Sequence, residues 1–328
     1  MKILVTGSAG HLGEALMRTL TGAGHQLAGL DIRASPFTQH VGSIAERRFV
    51  DECMRGVEVV LHTATLHKPH IETHSRQDFV DTNVTGTLNL LEAAVAAGAK
   101  AFVYTSTTST FGHALVPAPG EPAAWITEDV VPVPKNIYGI TKLAAENLCE
   151  LIHRQSGMPC LVLRTARFFP EEDDSRAARD SFDNDNLKVN ELLHRRADIE
   201  DVVTAHLCAM ERAATIGFDR FIISATSPFA PSDLPHLRVH PERIVRRLVP
   251  AYERVYSARE WSLPREFDRV YVNESARDRL GWQPRYDFSY AVTQLLSGND
   301  YRSPLAVAVG AKRYHFRAFT DGPYPVSV

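Results

Sequence analysis

The sequence predicts an α/β fold in which a doubly wound parallel sheet is followed by a smaller C-terminal substrate-binding region. Short apolar runs alternate with helical stretches through the first half of the chain. The first run leads directly into closely spaced glycines and then into leucines at helical spacing. After residue 164 the alternation loosens into acidic and proline-rich segments. Buried strands that alternate with helices are typical of a parallel sheet covered on both faces.

The elements follow from apolar spacing along the chain. Residues 2–6 form an apolar strand, and Leu12, Leu16 and Leu20 then recur every four residues, as on one face of a helix. Further strands are predicted at 26–31, 57–63, 101–106 and 159–164, and helices at 81–97 and 138–154. Residues 1–165 therefore form a first domain, to which a helix at 199–213 and a strand at 220–224 return. Residues 166–328 form mainly the substrate-binding region and a C-terminal tail.

Composition limits the classes of partner. The 328 residues carry a formal charge of −3, which offers no basic excess for nucleic acid or an anionic membrane. Four scattered cysteines argue against a disulfide framework and fit the reducing cytoplasm. No apolar run is long enough for a membrane span, and no export leader is recognisable. We therefore expect a cytoplasmic protein with a small-molecule partner.

A glycine motif separates the first strand from the first helix. Gly7, Gly10 and Gly13 permit a tight turn and bring backbone N–H groups and the helix dipole close to a pyrophosphate. Asp31 ends the second strand, where a carboxylate accepts hydrogen bonds from ribose hydroxyls and repels a 2′-phosphate. This Rossmann-type pattern predicts NAD rather than NADP. Arg33 either offsets part of that repulsion or is a solvated loop charge.

A tyrosine and a lysine begin the helix at 138–154. Tyr138 and Lys142 are four residues apart and so share one helical face. A neighbouring cation stabilises a phenolate and lowers the pKa of the tyrosine toward neutrality. A segment rich in serine and threonine, 105–110, ends an earlier strand, and open parallel sheets build their sites at such ends. The pair is therefore a candidate for general base catalysis.

These motifs together resemble the extended short-chain dehydrogenase/reductases, the NAD-dependent epimerase/dehydratase family that includes nucleotide-sugar 4-epimerases. The resemblance covers nearly the whole chain. It also includes the strand end 61–64, the segment 83–91 and the segment 280–284. It implies that Thr107 hydrogen-bonds the reacting oxygen, with Ser106 as the neighbouring candidate. It further implies that Lys142 holds the nicotinamide ribose and that Asn83 lies beneath the cofactor.

The implied site has two parts. The cofactor-binding set comprises Gly7, Gly10, His11, Leu12, Gly13, Asp31, Ile32, Arg33, Ser43, Ile44, His62, Ala64, Asn83, Tyr138 and Lys142. The substrate-binding set comprises His67, Thr108 and Arg167. In the implied reaction, the Tyr138 phenolate takes a proton from a substrate hydroxyl while NAD accepts a hydride from the same carbon.

The substrate region departs from the family pattern. Arg167 stands where many nucleotide-sugar members carry asparagine. Four carboxylates follow at 171–174; they either repel a diphosphate, unless Arg176 or Arg179 offsets them, or form a solvated loop. This favours a free sugar or sugar acid mildly over a nucleotide sugar. Thr108 and Ser109 replace the acidic residues typical of dehydratases, so dehydration is the least favoured outcome.

Several alternatives stay open. Return of the hydride to the other face of the carbon would make the protein an epimerase. Release of NADH would make it a dehydrogenase of a free sugar or sugar acid. A dinucleotide-sensing binding protein is the alternative of another class, although it would be expected to lose Tyr138 or Lys142. His62, His67, His70 and His74 lack a carboxylate or thiolate to complete a metal site, so no metal is expected.

The helices at 81–97 and 138–154 match a dimer interface of many relatives, and a homodimer is expected. The tail 301–328 has no counterpart in the resemblance.

Overall fold

The computed structural model describes residues 1–315, 317, 319–320 and 322–326. Within them, one parallel sheet has the strand order β3-β2-β1-β4-β5-β7-β8, and a parallel pair joins β6 to β9. The strands are β1 Lys2–Thr6, β2 Gln26–Asp31, β3 His40–Val41, β4 Val59–His62, β5 Ala101–Thr107, β6 Ala124–Ile126, β7 Cys160–Thr165, β8 Phe218–Ile223 and β9 Arg269–Tyr271. The doubly wound parallel sheet predicted from sequence is confirmed.

Helices cover both faces of the sheet and build the C-terminal region. They are α1 His11–Leu20, α2 Arg47–Cys53, α3 Arg76–Phe79, α4 Gly86–Ala96, α5 Ile137–Ser156, α6 Arg176–Ser181, α7 Asn184–Glu191, α8 Ile199–Ile216, α9 Leu234–Leu237, α10 Pro241–Leu248, α11 Tyr252–Arg259, α12 Glu274–Leu280, α13 Phe288–Leu296 and α14 Pro304–Val309. The helix predicted at 81–97 differs at its start, because a π-helical turn, Val80–Thr85, precedes α4. Asn83 lies in that turn and uses its amide to hold the loop at Leu66.

Two apolar cores sandwich the sheet. On one face, α1 and α8 bury side chains such as Leu16 and Val203 against β1 and β7. On the other face, α4 and α5 bury Leu90 and Cys149 against β4 and β5. Strands buried from both sides contain runs of apolar residues rather than an alternating pattern. This explains why the first half of the sequence predicts the sheet so readily.

The C-terminal region has a core of its own. Apolar side chains of α7, α10, α11 and α13 pack around Phe267 and Phe288, next to the small β6–β9 pair. Trp282 and Val309, by contrast, return to the α1–α8 core. The chain therefore crosses back to the sheet late, and this return brings the segment after α14 next to α1. No helix among the described residues is both long and apolar enough to cross a bilayer.

The strand order fixes the position of the site. The chain passes from β1 to β2 and β3 on one side. It then crosses back to β4, which pairs with the other side of β1. A doubly wound sheet opens a crevice at the carboxyl ends of its strands where the order reverses. Here the reversal lies between β1 and β4, so the glycine turn after β1 faces the loop after β4.

Candidate active site

The glycine turn forms a cradle in which side chains have no room. Gly7 has a φ of +73°, and a Cβ placed on Gly13 would lie 1.9 Å from the carbonyl oxygen of Gly7. Helix α1 begins at His11 immediately after the turn, and its first backbone N–H groups have no acceptors within the helix. A cavity of about 340 Å³ opens over this helix end. Close backbone approach together with a helix N-terminus fits the diphosphate of a dinucleotide.

The acidic residue at the end of β2 holds its own loop. One carboxylate oxygen of Asp31 accepts the N–H of Ala9 at 3.0 Å, and the other accepts the N–H of Arg33 at 2.9 Å. Burial raises the pKa of Asp31 even though these hydrogen bonds lower it. Ile32 exposes 61% of its surface at the rim of the cavity, whereas Ile44 is buried. These side chains border the end of the cavity next to β2.

Further residues of the predicted cofactor set fall into two groups. His11, Leu12, Ser43, Ala64 and the glycines line the cavity. His62 lies behind its wall, between the hydroxyls of Thr6 and Thr87 at 2.7 and 2.9 Å. Asn83 also lies behind it and hydrogen-bonds the backbone N–H and carbonyl of Leu66. The structure thus places these two side chains where they support the loop after β4.

The candidate catalytic side chains meet at the carboxyl end of β5. Tyr138, on the first turn of α5, and Thr107, the last residue of β5, both line the cavity, and the Thr107 side chain is close enough to lower the pKa of the phenol. Burial raises the pKa of Tyr138 to about 12, and Thr107 lowers it only in part. Ser106 points elsewhere: its hydroxyl donates to Glu146 at 2.5 Å beneath the site. Thr107, and not Ser106, is therefore the hydroxyl beside the phenol.

Lys142 lies one helical turn below Tyr138. Its Nζ donates to the carbonyl oxygen of Thr105 at 2.6 Å and lies 4.1 Å from the ring centre of Tyr104. Burial lowers the pKa of Lys142 to about 7, while the nearby Glu146 opposes the shift. The structure thus differs from the expected phenolate, because the pKa of Tyr138 is raised and the proton stays on the phenol.

A buried ion pair supports this arrangement from below. Glu146 is fully buried and accepts from Arg164 at 2.8 Å as well as from Ser106. Neither Glu146 nor Arg164 belongs to the site residues predicted from the sequence. The signal available was a glutamate four residues after Lys142, which places its carboxylate on the same face of α5.

His67 closes the cavity next to the phenol. Its ring stacks on Phe169 at 5.3 Å between centroids and lies 6.5 Å from the Tyr138 ring. Burial lowers the pKa of His67 well below its usual value, so the ring is neutral. Thr108 also lines the cavity. Among the described residues, no group of histidine, cysteine and carboxylate side chains is arranged to hold a metal ion.

Three of the four carboxylates after β7 are turned away from solvent, and only Glu172 is mostly exposed. The side chains of Glu171, Asp173 and Asp174 expose 3%, 5% and 14% of their surface. Arg167 bonds to Asp173 and Asp174 and also to Glu191 at 3.1 Å. The guanidinium predicted to bind substrate is thereby surrounded by carboxylates.

The C-terminal tail supplies cavity residues that sequence analysis did not anticipate. Lys312, Arg313, Tyr314 and Tyr324 line the cavity opposite the glycine turn. We call residues 167–174 together with the described residues among 312–324 the outer wall, and the glycine turn with the ends of β2, β4 and β5 the inner wall. No motif marks the tail, because its contacts join positions far apart in the sequence.

Comparison with known proteins agrees with this geometry. The model of the NAD dependent epimerase/dehydratase family matches residues 3–223. The chain is 26% identical to the UDP-glucose 4-epimerase of Rhizobium meliloti, over 89% of this chain and 94% of that protein. The chain spans about half the length of several other curated relatives: an uncharacterized UDP-glucose epimerase of Bacillus subtilis is 29% identical over 50% of this chain and 55% of its own.

Solved structures share the fold. A short-chain dehydrogenase/reductase superfamily protein from Agrobacterium tumefaciens with bound NAD has a TM-score of 0.62 at 22% identity and covers 91% of this chain and 95% of its own. The UDP-N-acetylglucosamine 4-epimerase from Bacillus cereus has a TM-score of 0.63 at 19% identity, with coverages of 90% and 97%.

The fold and the cradle are those of an extended short-chain dehydrogenase/reductase. The chain belongs to the NAD dependent epimerase/dehydratase family. The resemblance drawn from the sequence motifs and the predicted cofactor, NAD, are confirmed.

Proposed function

We propose that the protein epimerises a hydroxyl-bearing carbon of a sugar-type substrate by transferring its hydride to NAD and returning it to the opposite face of the same carbon. The main support is that Tyr138 and Thr107 lie together at the end of β5, beside the crevice that the glycine turn opens. The relative from Rhizobium meliloti, aligned over 94% of its length, is a UDP-glucose 4-epimerase. In such an epimerisation, NAD would stay bound and be reoxidised within the same turnover.

The side chains of the site would have different roles, set by which of them carries a proton. NAD, when bound, supplies the hydride acceptor. Tyr138 holds its proton in this structure, since burial raises its pKa to about 12. It becomes a base when a neighbouring ammonium stabilises the phenolate, and Lys142 is the cation one turn away. Thr107 would orient the reacting oxygen by hydrogen bonding. The cradle of Gly7, Gly10 and Gly13, bordered by Asp31, would hold the cofactor.

A substrate screen tests this proposal. Sugars, sugar acids and nucleotide sugars are incubated with the NAD-loaded protein, and both NADH absorbance and product stereochemistry are followed. We expect an inverted product without net NADH. The Tyr138→Phe variant should lower kcat by about 100-fold or more, the usual contribution of general acid–base catalysis. Tyr290→Phe, on α13 outside the cavity, is the matched control. Full activity of Tyr138→Phe on any substrate would contradict the mechanism.

A dehydrogenase that acts on a free sugar is the second candidate. Asp173, Asp174 and Glu191 engage the guanidinium of Arg167, so this cation of the cavity is not available to neutralise the diphosphate of a nucleotide sugar. Free sugars lack that charge. The same screen separates the candidates, because a dehydrogenase accumulates NADH in step with oxidised product.

We also propose that the protein is a homodimer that pairs through α4 and α5. Ile140 and Leu151, eleven residues apart on α5, expose 51% and 38% of their surface, and Val95 on α4 exposes 37%. Such apolar side chains on two packed helices favour association. Analytical ultracentrifugation should show a dimer for the wild type and a monomer for Ile140→Glu. Val239→Glu, at an exposed site elsewhere, should stay dimeric.

A further inference from the structure

The C-terminal segment crosses the mouth of the cofactor crevice. We call its described residues, 312–315, 317, 319–320 and 322–324, the strap. At its start, Lys312 Nζ donates to Glu14 on α1 at 2.5 Å, and at its end the hydroxyl of Tyr324 donates to the carbonyl oxygen of Glu172. The strap thus runs from the helix that begins at the glycine turn to the segment that follows β7. Lys312, Tyr314 and Tyr324 all line the cavity.

A buried carboxylate fastens the strap beside the phosphate cradle. Glu171 accepts the backbone N–H of Lys312 at 2.7 Å and the hydroxyl of Tyr314 at 2.8 Å. It also accepts from His11, the first residue of α1, at 2.8 Å. Burial raises the pKa of Glu171, but the hydrogen bond and charge of His11 and the backbone N–H of Lys312 together outweigh it, and the net pKa is lowered. The carboxylate is therefore ionised, and it ties the strap to the residue that begins the phosphate-binding helix.

The strap is also tied at the end of the cavity next to β2 and at the loop after β4. The guanidinium of Arg33 donates to the carbonyl oxygens of Arg313 and Tyr314. His70 donates to the same Tyr314 carbonyl at 3.2 Å, and Thr73 bonds His315 at 2.7 Å. Arg33 and the loop after β4 thus both hold the strap across the crevice. Arg33 accordingly uses its guanidinium on the strap and not on an open loop.

From this geometry we infer that the strap completes the NAD site and retains the cofactor between turnovers. This inference rests on the proposed function, because a hydride that is returned to the substrate requires NAD to stay bound. A dinucleotide lying on the glycine turn between Asp31 and Tyr138 is enclosed by the strap on the outer side. It leaves only when the bonds of Glu171 and Arg33 to the strap are broken. The strap therefore controls the rate at which NAD dissociates.

The dissociation rate of NAD tests this inference directly. The full-length protein is loaded with NAD, and release is followed in stopped flow by tyrosine and tryptophan fluorescence after mixing with excess ADP-ribose as competitor. The test variants are Tyr314→Phe, Glu171→Gln and a chain that ends at Gly310. Tyr290→Phe is the control, since it deletes a tyrosine hydroxyl away from the cavity. Thermal melts establish that each variant is folded.

We expect the shortened chain to release NAD at least about tenfold faster, since differences in affinity among variants of one site arise mainly in the dissociation rate. Tyr314→Phe and Glu171→Gln should accelerate release less, because each removes only part of the fastening. The inference is overturned if the shortened chain and both point variants release NAD as slowly as the wild type. A wild type that binds no NAD contradicts the proposed function itself.

Discussion

The inner and outer walls of the crevice are built in opposite ways. The inner wall consists of small residues and strand ends that the main chain places, as at Gly7 and Gly13, and it contains few charges. The outer wall consists of carboxylates and cations held by one another, as Arg167 is held by Asp173 and Glu191. Backbone geometry makes the inner wall rigid. The proposed release of NAD would require only side-chain bonds of the outer wall to break, whereas the inner wall would stay in place.

The largest effect is expected in the inner wall. Gly13→Val should weaken NAD binding by about 100-fold or more, because any Cβ there meets the Gly7 carbonyl at 1.9 Å and pushes the turn away from the helix end. Isothermal titration calorimetry with NAD measures the loss. Gly98→Ala, also at a tight turn but with open space around its Cβ, should bind as the wild type does. Equal affinity for Gly13→Val would show that the turn is not the phosphate site.

Lys142 should show a conflict between function and stability. Lys142→Met should abolish turnover yet raise the free energy of unfolding near pH 7 by on the order of 2 kcal/mol, because it removes a buried charge. The folded pKa of about 7 lies below the usual value of 10.5, so the unfolded chain binds the extra proton between these values.

The sign of the pH dependence follows. Wild-type stability gains from Lys142 as the pH rises from 7 to 10.5, and the gain is fully lost below 7. The advantage of Lys142→Met should therefore shrink steadily as the pH rises through that window. Urea unfolding at several pH values measures it. A constant difference between the two proteins would mean that Lys142 is not the group that titrates.

The smallest effect is expected at the solvent edge of the outer wall. Lys68 pairs with Asp174 at 2.7 Å, but its own side chain is 44% exposed. Lys68→Ala should lower the free energy of unfolding by less than about 1 kcal/mol, as exposed ion pairs do. Urea unfolding at low and high salt checks this value. A loss several times larger would mean that the outer wall is as firmly built as the inner wall.

The same contrast explains what the sequence could predict. Gly7, Gly10, Gly13 and Asp31 act through local backbone geometry, so their spacing predicts the cradle and the fold around it. The bond between Glu171 and Tyr314 joins residues 143 positions apart, and no local pattern encodes it. The interpretation of the acidic segment as a solvated loop was wrong for Glu171 and Asp174 for the same reason. His11 and Lys68, which pair with these carboxylates, lie far away in the sequence.

The raised pKa of Tyr138 was equally beyond sequence reasoning. Spacing places Lys142 on the same helical face, but it does not show that Nζ turns to the Thr105 carbonyl or that burial dominates the pKa of the phenol. His62 and Asn83 match the family pattern in sequence, yet their depth behind the cavity wall depends on how β4 and the π-helical turn pack.

A crystal structure of the full chain with NAD tests the central claim most directly. The account predicts the diphosphate on the glycine turn at the start of α1, the nicotinamide ring in contact with Tyr138, and the strap closed over the cofactor. A dinucleotide bound elsewhere, or a nicotinamide ring remote from Tyr138 and Thr107, would contradict it.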